Sequence, residues 1–185
     1  MNIEFLHDGH AASPAGWRAA TAACGIKYRD RDDLALLVSE APCSAAALFT
    51  TNKVKAAPVL YDMALMGRNP GALRALVVNA GNANACTGAD GDAAAAAMAR
   101  ATEAALGLAV DSAFVMSTGT IGVPMPVERI LGGIDRAAQA LDQAAGPAAA
   151  RAIMTTDTRP KHMAARLALP SGDTVTIGGW PRARA

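Results

Sequence analysis

The chain has 185 residues, 52% of them hydrophobic and 18% charged, and its 17 Lys and Arg against 16 Asp and Glu leave a formal charge of +1. That composition fills one sizeable core, so one domain over residues 1–185 is expected and intrinsic disorder is excluded. No basic stripe suits a phosphate backbone, no apolar run reaches the roughly 18 residues of a membrane span, and no basic-then-apolar leader opens the chain. Nucleic-acid binding, membrane insertion and export are therefore set aside, and a cytoplasmic location is expected.

Cys24, Cys43 and Cys86 stand apart and form no C-x-x-C pair, so reduced thiols are expected rather than a disulfide framework. With His7, His10 and His162 they offer no metal-ligand spacing. No Walker A or G-x-G-x-x-G pattern implies a cofactor. His7 and His10, close to the terminus, are expected to face solvent.

Along the chain, a polar turn at Asp30–Asp33 precedes an apolar strand over 34–38. Pro42 reads as a turn into a second strand over 45–49, giving a hairpin. Lys53 and Lys55 alternate after it, and on an edge strand they would face the same way, to steer an acidic partner or to solvate the edge. A short helix over 60–66 ends at Gly67 and Asn69-Pro70-Gly71, and a third strand follows over 73–78.

The clearest helix spans 90–106, with Asp90 at its start, Ala through its centre and Gly107 after its end. A strand over 113–116 leads to a Gly-rich bend. Pro126 suits the first turn of the next helix, which Gly132-Gly133 interrupts or ends. Further helices are expected over 134–145 and 148–154, separated by Gly146-Pro147. Strands over 162–169 and 174–177, joined by Pro170-Ser171-Gly172-Asp173, read as a hairpin. Strands mixed with helical crossovers define an α/β (or α+β) fold, a mixed sheet with packed helices whose strand order the pattern leaves open.

Three polar constellations stand out. Asn79-Ala80-Gly81-Asn82-Ala83-Asn84-Ala85-Cys86-Thr87-Gly88 directly follows a strand; its Asn side chains either rigidify a loop over a pocket or simply make a tight turn. Ser117-Thr118-Gly119-Thr120-Ile121-Gly122 is a second strand-to-loop transition. Small residues there would let consecutive N–H groups point into one cavity, the geometry that stabilises the oxyanion of acyl transfer, with Thr118 adding a hydroxyl. An ordinary Gly turn is the other reading. Thr155-Thr156-Asp157-Thr158 follows an apolar helix and suits either capping, for Asp157 above all, or contact with a polar substrate end. No G-x-S-x-G elbow or other nucleophile set emerges.

Taken in order, these stretches resemble the alpha-chain region of the bifunctional glutamate N-acetyltransferase/ornithine acetyltransferase family of arginine biosynthesis. The similarity runs from Gly16-Trp17-Arg18-Ala19-Ala20 and Gly25-Ile26-Lys27 through Phe49-Thr50-Thr51-Asn52-Lys53-Val54-Lys55-Ala56-Ala57-Pro58 to the three constellations. It implies a precursor that cuts itself before a Thr, which becomes the N-terminal nucleophile of a beta chain. It also implies acetyl transfer from N-acetylornithine to glutamate through an acetyl-Thr enzyme, with acetyl-CoA used by some members.

Carried over residue by residue, the resemblance makes Thr118 and Gly119 the oxyanion-hole pair. Thr156 becomes the substrate-contacting Thr, with Thr155 the choice if the register shifts, and Arg182 stands in place of a substrate-binding Lys. Where the family continues toward its cleavage point after Gly-Gly, residues 178–185 read Gly-Gly-Trp-Pro-Arg-Ala-Arg-Ala, a divergent tail. Lacking the Thr nucleophile, the isolated chain is expected to be inactive and to act in a hetero-oligomer with a beta chain. The alternatives are a non-catalytic remnant or binding subunit, or part of a self-processing amidohydrolase.

Overall fold

The computed structural model describes residues 2–180. Its larger sheet has four strands in the order β2 (Trp17–Ala22), β3 (Leu34–Cys43), β4 (Leu73–Asn82), β5 (Ala113–Thr120). The first three pair antiparallel and β5 joins β4 in parallel. The parallel step needs a crossover, which α2 (Gly88–Ala105) supplies. The smaller sheet sets β6 (Met163–Ala168) between β1 (Asn2–Leu6) and β7 (Thr174–Gly179), all antiparallel.

Strand alternation divides the larger sheet into two covered faces. Leu34, Leu36, Val77 and Val115 point toward α2 and α3 (Val127–Ala138), joining Met98, Ile130 and Ile134 in the main core. Ala35 and Val78 point the other way, to Ala149, Ala152 and Ile153 of α4 (Gly146–Ala152) and the residue that follows it. Small residues let α2 lie close: Gly91, Ala94, Ala95, Met98, Ala99 and Thr102 form its buried stripe at helical spacing. α1 (Ala57–Arg68) packs on α2 and along the outer edge of β5.

Several sequence expectations change here. The hairpin over 45–49 does not form; β3 itself runs on through Pro42 to Cys43, across a register irregularity between Val38 and Cys43 where no ladder amide is required of Pro. Residues 50–55 are not a strand, so Lys53 and Lys55 share no strand face, and Lys55 Nζ turns back to the Asn52 carbonyl (2.9 Å). Gly132-Gly133 neither interrupts nor ends α3, which continues to Ala138. A Cβ at Gly133 would lie 2.1 Å from Cys24 Sγ, so close packing on the sheet sets this residue and holds the helix through it. The helix expected over 134–145 is therefore the end of α3 followed by a short 3-10 turn, Gln143–Ala145.

The helix over 60–66 is longer at both ends, and the strands over 73–78 and 113–116 run on to Asn82 and Thr120. The C-terminal hairpin forms as expected. β1 and β2 had no distinct sequence signature. His7 is exposed, but His10 is half-buried with Nδ1 lacking a partner among the described residues. Burial, and then the neighbouring His162, lower its pKa. The solvent-facing expectation fails there because the sheet formed by β1, β6 and β7 folds back over the segment that follows β1. Among the described residues no helix is long and apolar enough to cross a membrane.

Candidate functional site

All three constellations gather at one end of the larger sheet. The ladder aligns Leu34 with Asn79 and Asn79 with Ser117, so the start of β3 and the ends of β4 and β5 are side by side. Arg31, just before β3, donates to the Met154 carbonyl, which brings the Thr155-Thr156 segment to that same end. Thr156 is exposed and Thr155 half-buried. Among the described residues no helix follows Asp157 for it to cap, and its carboxylate pairs with Lys161 Nζ at 2.7 Å. Arg182 lies outside the described residues.

The Asn-rich stretch holds itself together. Asn79 Nδ2 donates to the Asn82 carbonyl (2.9 Å), and Asn82 Nδ2 donates to the Val123 and Pro124 carbonyls (3.0 and 3.1 Å). Asn84 Nδ2 donates to the Gly91 carbonyl (2.9 Å), while its Oδ1 accepts from Thr87 Oγ1 (2.8 Å). Asn84 and Cys86 carry positive φ, 47° and 57°, which Asn tolerates by making such local bonds.

The neighbouring stretch differs. Thr118 is 3% exposed, and the buried hydroxyls of Ser117 and Thr118 have no hydrogen-bond partner among the described residues. A buried hydroxyl without a partner costs free energy, so such groups point to a ligand or a reaction. Gly119 has φ +137°, and a Cβ there would fall 2.3 Å from the Gly81 carbonyl carbon. Only glycine lets the two strand ends approach this closely.

The stretch stays in β5 through Thr120, and successive amides of a regular strand alternate in direction. Val115 donates outward to Asp62 Oδ1 (3.0 Å), whereas the Thr120 carbonyl accepts from Ala83 N on the β4 side (2.9 Å). Gly119 lies between these two anchors, paired with Gly81 at a register irregularity.

Three buried carboxylates escaped sequence reasoning. Asp33, read as part of a polar turn, accepts from Cys24 N and Ile26 N, both at 2.7 Å, and fixes the loop that brings Lys27 against Gly81. Glu103 accepts from Ser112 N (2.8 Å) and Ala113 N (3.2 Å), anchoring the start of β5. Asp62 is 5% exposed, and burial pushes its pKa up to about 7 against the opposing effect of the Val115 N–H. Burial first, then Asp33, pushes the Cys24 thiol up to about 12, which removes it as a nucleophile.

A hollow of about 460 Å³ follows the open edge of β5, lined by Phe49, Pro58, Asp62, Phe114 and Ser117 among others. A second, of about 380 Å³, lies between the start of α2 and the 122–127 segment. Thr118 and Gly119 line neither.

Fold and site together define a mixed α/β protein whose small polar residues meet at the ends of two parallel strands. The ArgJ family model matches residues 18–182, and the chain belongs to that family. Arginine biosynthesis bifunctional protein ArgJ of Symbiobacterium thermophilum is 51% identical over 183 residues, covering 97% of this chain and 44% of its own. That of Thermotoga neapolitana is 46% identical over 165 residues, covering 89% and 41%.

Among solved structures, ArgJ from Bacillus halodurans superimposes with a TM-score of 0.90 at 35% identity, over 99% of this chain and 94% of that one. Ornithine acetyltransferase from Mycobacterium tuberculosis, complexed with ornithine, gives 0.88 at 38%, over 100% and 98%. The chain thus spans about two fifths of the length of these curated relatives but nearly all of the solved chains.

Proposed function

We propose that this chain forms the oxyanion-stabilising and substrate-shaping half of an acetyl-transferring site in arginine biosynthesis, moving acetyl from N-acetylornithine to glutamate. The observation that carries it is the Thr118 hydroxyl, 3% exposed and without a partner among the described residues, next to Gly119. A desolvated donor with nothing to bond gains most when a negative oxygen arrives, because it has no ground-state partner to give up.

The chemistry this suits has two halves. A Thr hydroxyl attacks the acetyl carbonyl, whose π electrons move onto oxygen; Thr118 Oγ1 and Gly119 N–H hold that oxyanion, and its collapse expels the ornithine amine with a proton. The glutamate amine then attacks the resulting acetyl ester in the same geometry and releases the Thr. Thr156, or Thr155 beside it, contacts the amino-acid portion of the substrate, and Arg182 offers a cation for a carboxylate.

The nucleophile comes from a separate beta chain. Curated relatives are more than twice the matched length, while the solved chains match this one nearly end to end, which supports a family polypeptide working in two pieces. Use of acetyl-CoA by the assembled enzyme and a cytoplasmic location belong to the same reading. Co-expression with the unmatched part of the Symbiobacterium relative, followed by an acetyl-transfer assay, is expected to give transfer that neither piece gives alone; an assembled complex without transfer contradicts it.

A further inference from the structure

A further hollow, of about 290 Å³, opens between the turn that precedes β3 and the end of α4, and Arg31, Asp32, Arg151 and Met154 line it. Thr118, Gly119, Thr155 and Thr156 are not in its lining, so it lies outside the residues that the proposed transfer uses.

Arg31 is held on two sides. Its guanidinium carbon stands 4.2 Å from the centroid of the Tyr28 ring, and its Nη2 donates to the Met154 carbonyl. Stacking and that bond fix a planar fork, yet Nε is buried and has no acceptor among the described residues. A buried N–H of a charged group without an acceptor is costly, so the position suits an acceptor that arrives from outside the chain. Arg151, exposed in the last turn of α4, forms no ion pair among the described residues, and neither does Arg31. Asp32, the carboxylate in the lining, is engaged elsewhere: its Oδ2 accepts from Thr21 Oγ1 at 2.5 Å.

Two guanidiniums against one carboxylate leave one positive charge over, which a single negative charge balances. The guanidinium fork matches the two oxygens of a carboxylate. Volume sets the size of the ligand: the hollow lies at the lower end for a small-molecule site and suits a few-carbon acid rather than a nucleotide.

We infer that this hollow binds the carboxylate of a small organic monoacid, received by the Arg31 Nε–H and the Arg151 guanidinium. Because Arg31 also holds the Met154 carbonyl, next to Thr155, the bound acid steadies the segment that carries Thr155 and Thr156. The site is separate from the reacting end and requires neither a beta chain nor acetyl transfer.

The test titrates propionate into the full chain and follows binding by NMR chemical shifts, with saturable binding in the millimolar range expected. Arg151→Gln, at an exposed position, is expected to weaken it about 10-fold or more, the worth of a hydrogen bond between charged partners. Arg31→Lys keeps the charge, removes the Nε–H and is expected to do the same. Arg166→Gln, an equal change of charge at an exposed position on β6, is expected to leave binding as it was. Titration with L-alanine, which adds an ammonium to the propionate skeleton, identifies the source of the carboxylate. Tighter binding that Asp32→Asn reduces to the propionate level upholds the site as one for an amino acid; binding no tighter than that of propionate upholds it as one for a simple acid. No saturable binding of either compound overturns the inference, as does binding that Arg151→Gln and Arg31→Lys leave unchanged or that Arg166→Gln weakens equally.

Discussion

Two adjacent strand ends look alike in sequence and differ in what their polar groups do. At the end of β4 the side chains of Asn79, Asn82 and Asn84 bond to nearby backbone and to Thr87, so the loop is its own scaffold. At the end of β5 the hydroxyls of Ser117 and Thr118 are buried and bond to nothing among the described residues. Asn79 Oδ1 also lacks a partner among the described residues, so the contrast is one of degree: these side-chain bonds hold the β4 end, while the Ser117 and Thr118 hydroxyls make none.

The largest effect is expected where the two ends touch. Gly119→Ala puts a Cβ 2.3 Å from the Gly81 carbonyl carbon at a backbone conformation other residues avoid. A loss of more than about 3 kcal/mol in denaturant unfolding is expected, with the strand ends forced apart. A variant of unchanged stability would mean the close approach is unnecessary.

Next comes the scaffold side. Asn84 is fully buried and makes side-chain bonds to Gly91 and Thr87, so Asn84→Ala is expected to cost about 2–4 kcal/mol of stability. Acetyl transfer per folded complex should change far less than stability. A selective loss of transfer would assign the Asn loop a part in the reaction and erase the contrast.

Much of the fold was legible before the structure. The strands beginning at Leu34, Leu73 and Ala113, the Ala-rich α2 and the C-terminal hairpin carry their periodicity and punctuation locally. Pro42 and Gly132-Gly133 misled because their usual meaning is local, whereas a ladder irregularity and the contact with Cys24 decide them at long range. The site residues were marked by strand-to-glycine transitions, but their separation into scaffold and unpartnered donors was not. It depends on which neighbours arrive. Asp62, between Tyr61 and Met63, gave no cue that its partner would be the Val115 amide of another element.

That buried acid supplies the smallest effect. Its pKa is about 7 in the fold against 3.8 when unfolded, so between those values the folded state binds more protons than the unfolded one. Stability contributed by neutral Asp62 is present at low pH and is lost as pH rises toward about 7. Asp62→Asn keeps an acceptor for Val115 without the charge and is expected to raise Tm at pH 8 by about 2–4 °C, flattening the profile. A lower Tm across the whole range would show instead that the carboxylate is needed.

The proposed function rests on one hydroxyl, and Thr118→Val in a complex with the proposed beta chain tests it most directly, read as kcat for acetyl transfer beside the denaturant midpoint. Removal of an oxyanion donor predicts a fall in kcat of about 10²–10³-fold, while loss of a buried, unpartnered hydroxyl predicts stability within about 0.5 kcal/mol of wild type. Full activity in Thr118→Val, or a loss that only tracks unfolding, would contradict the account.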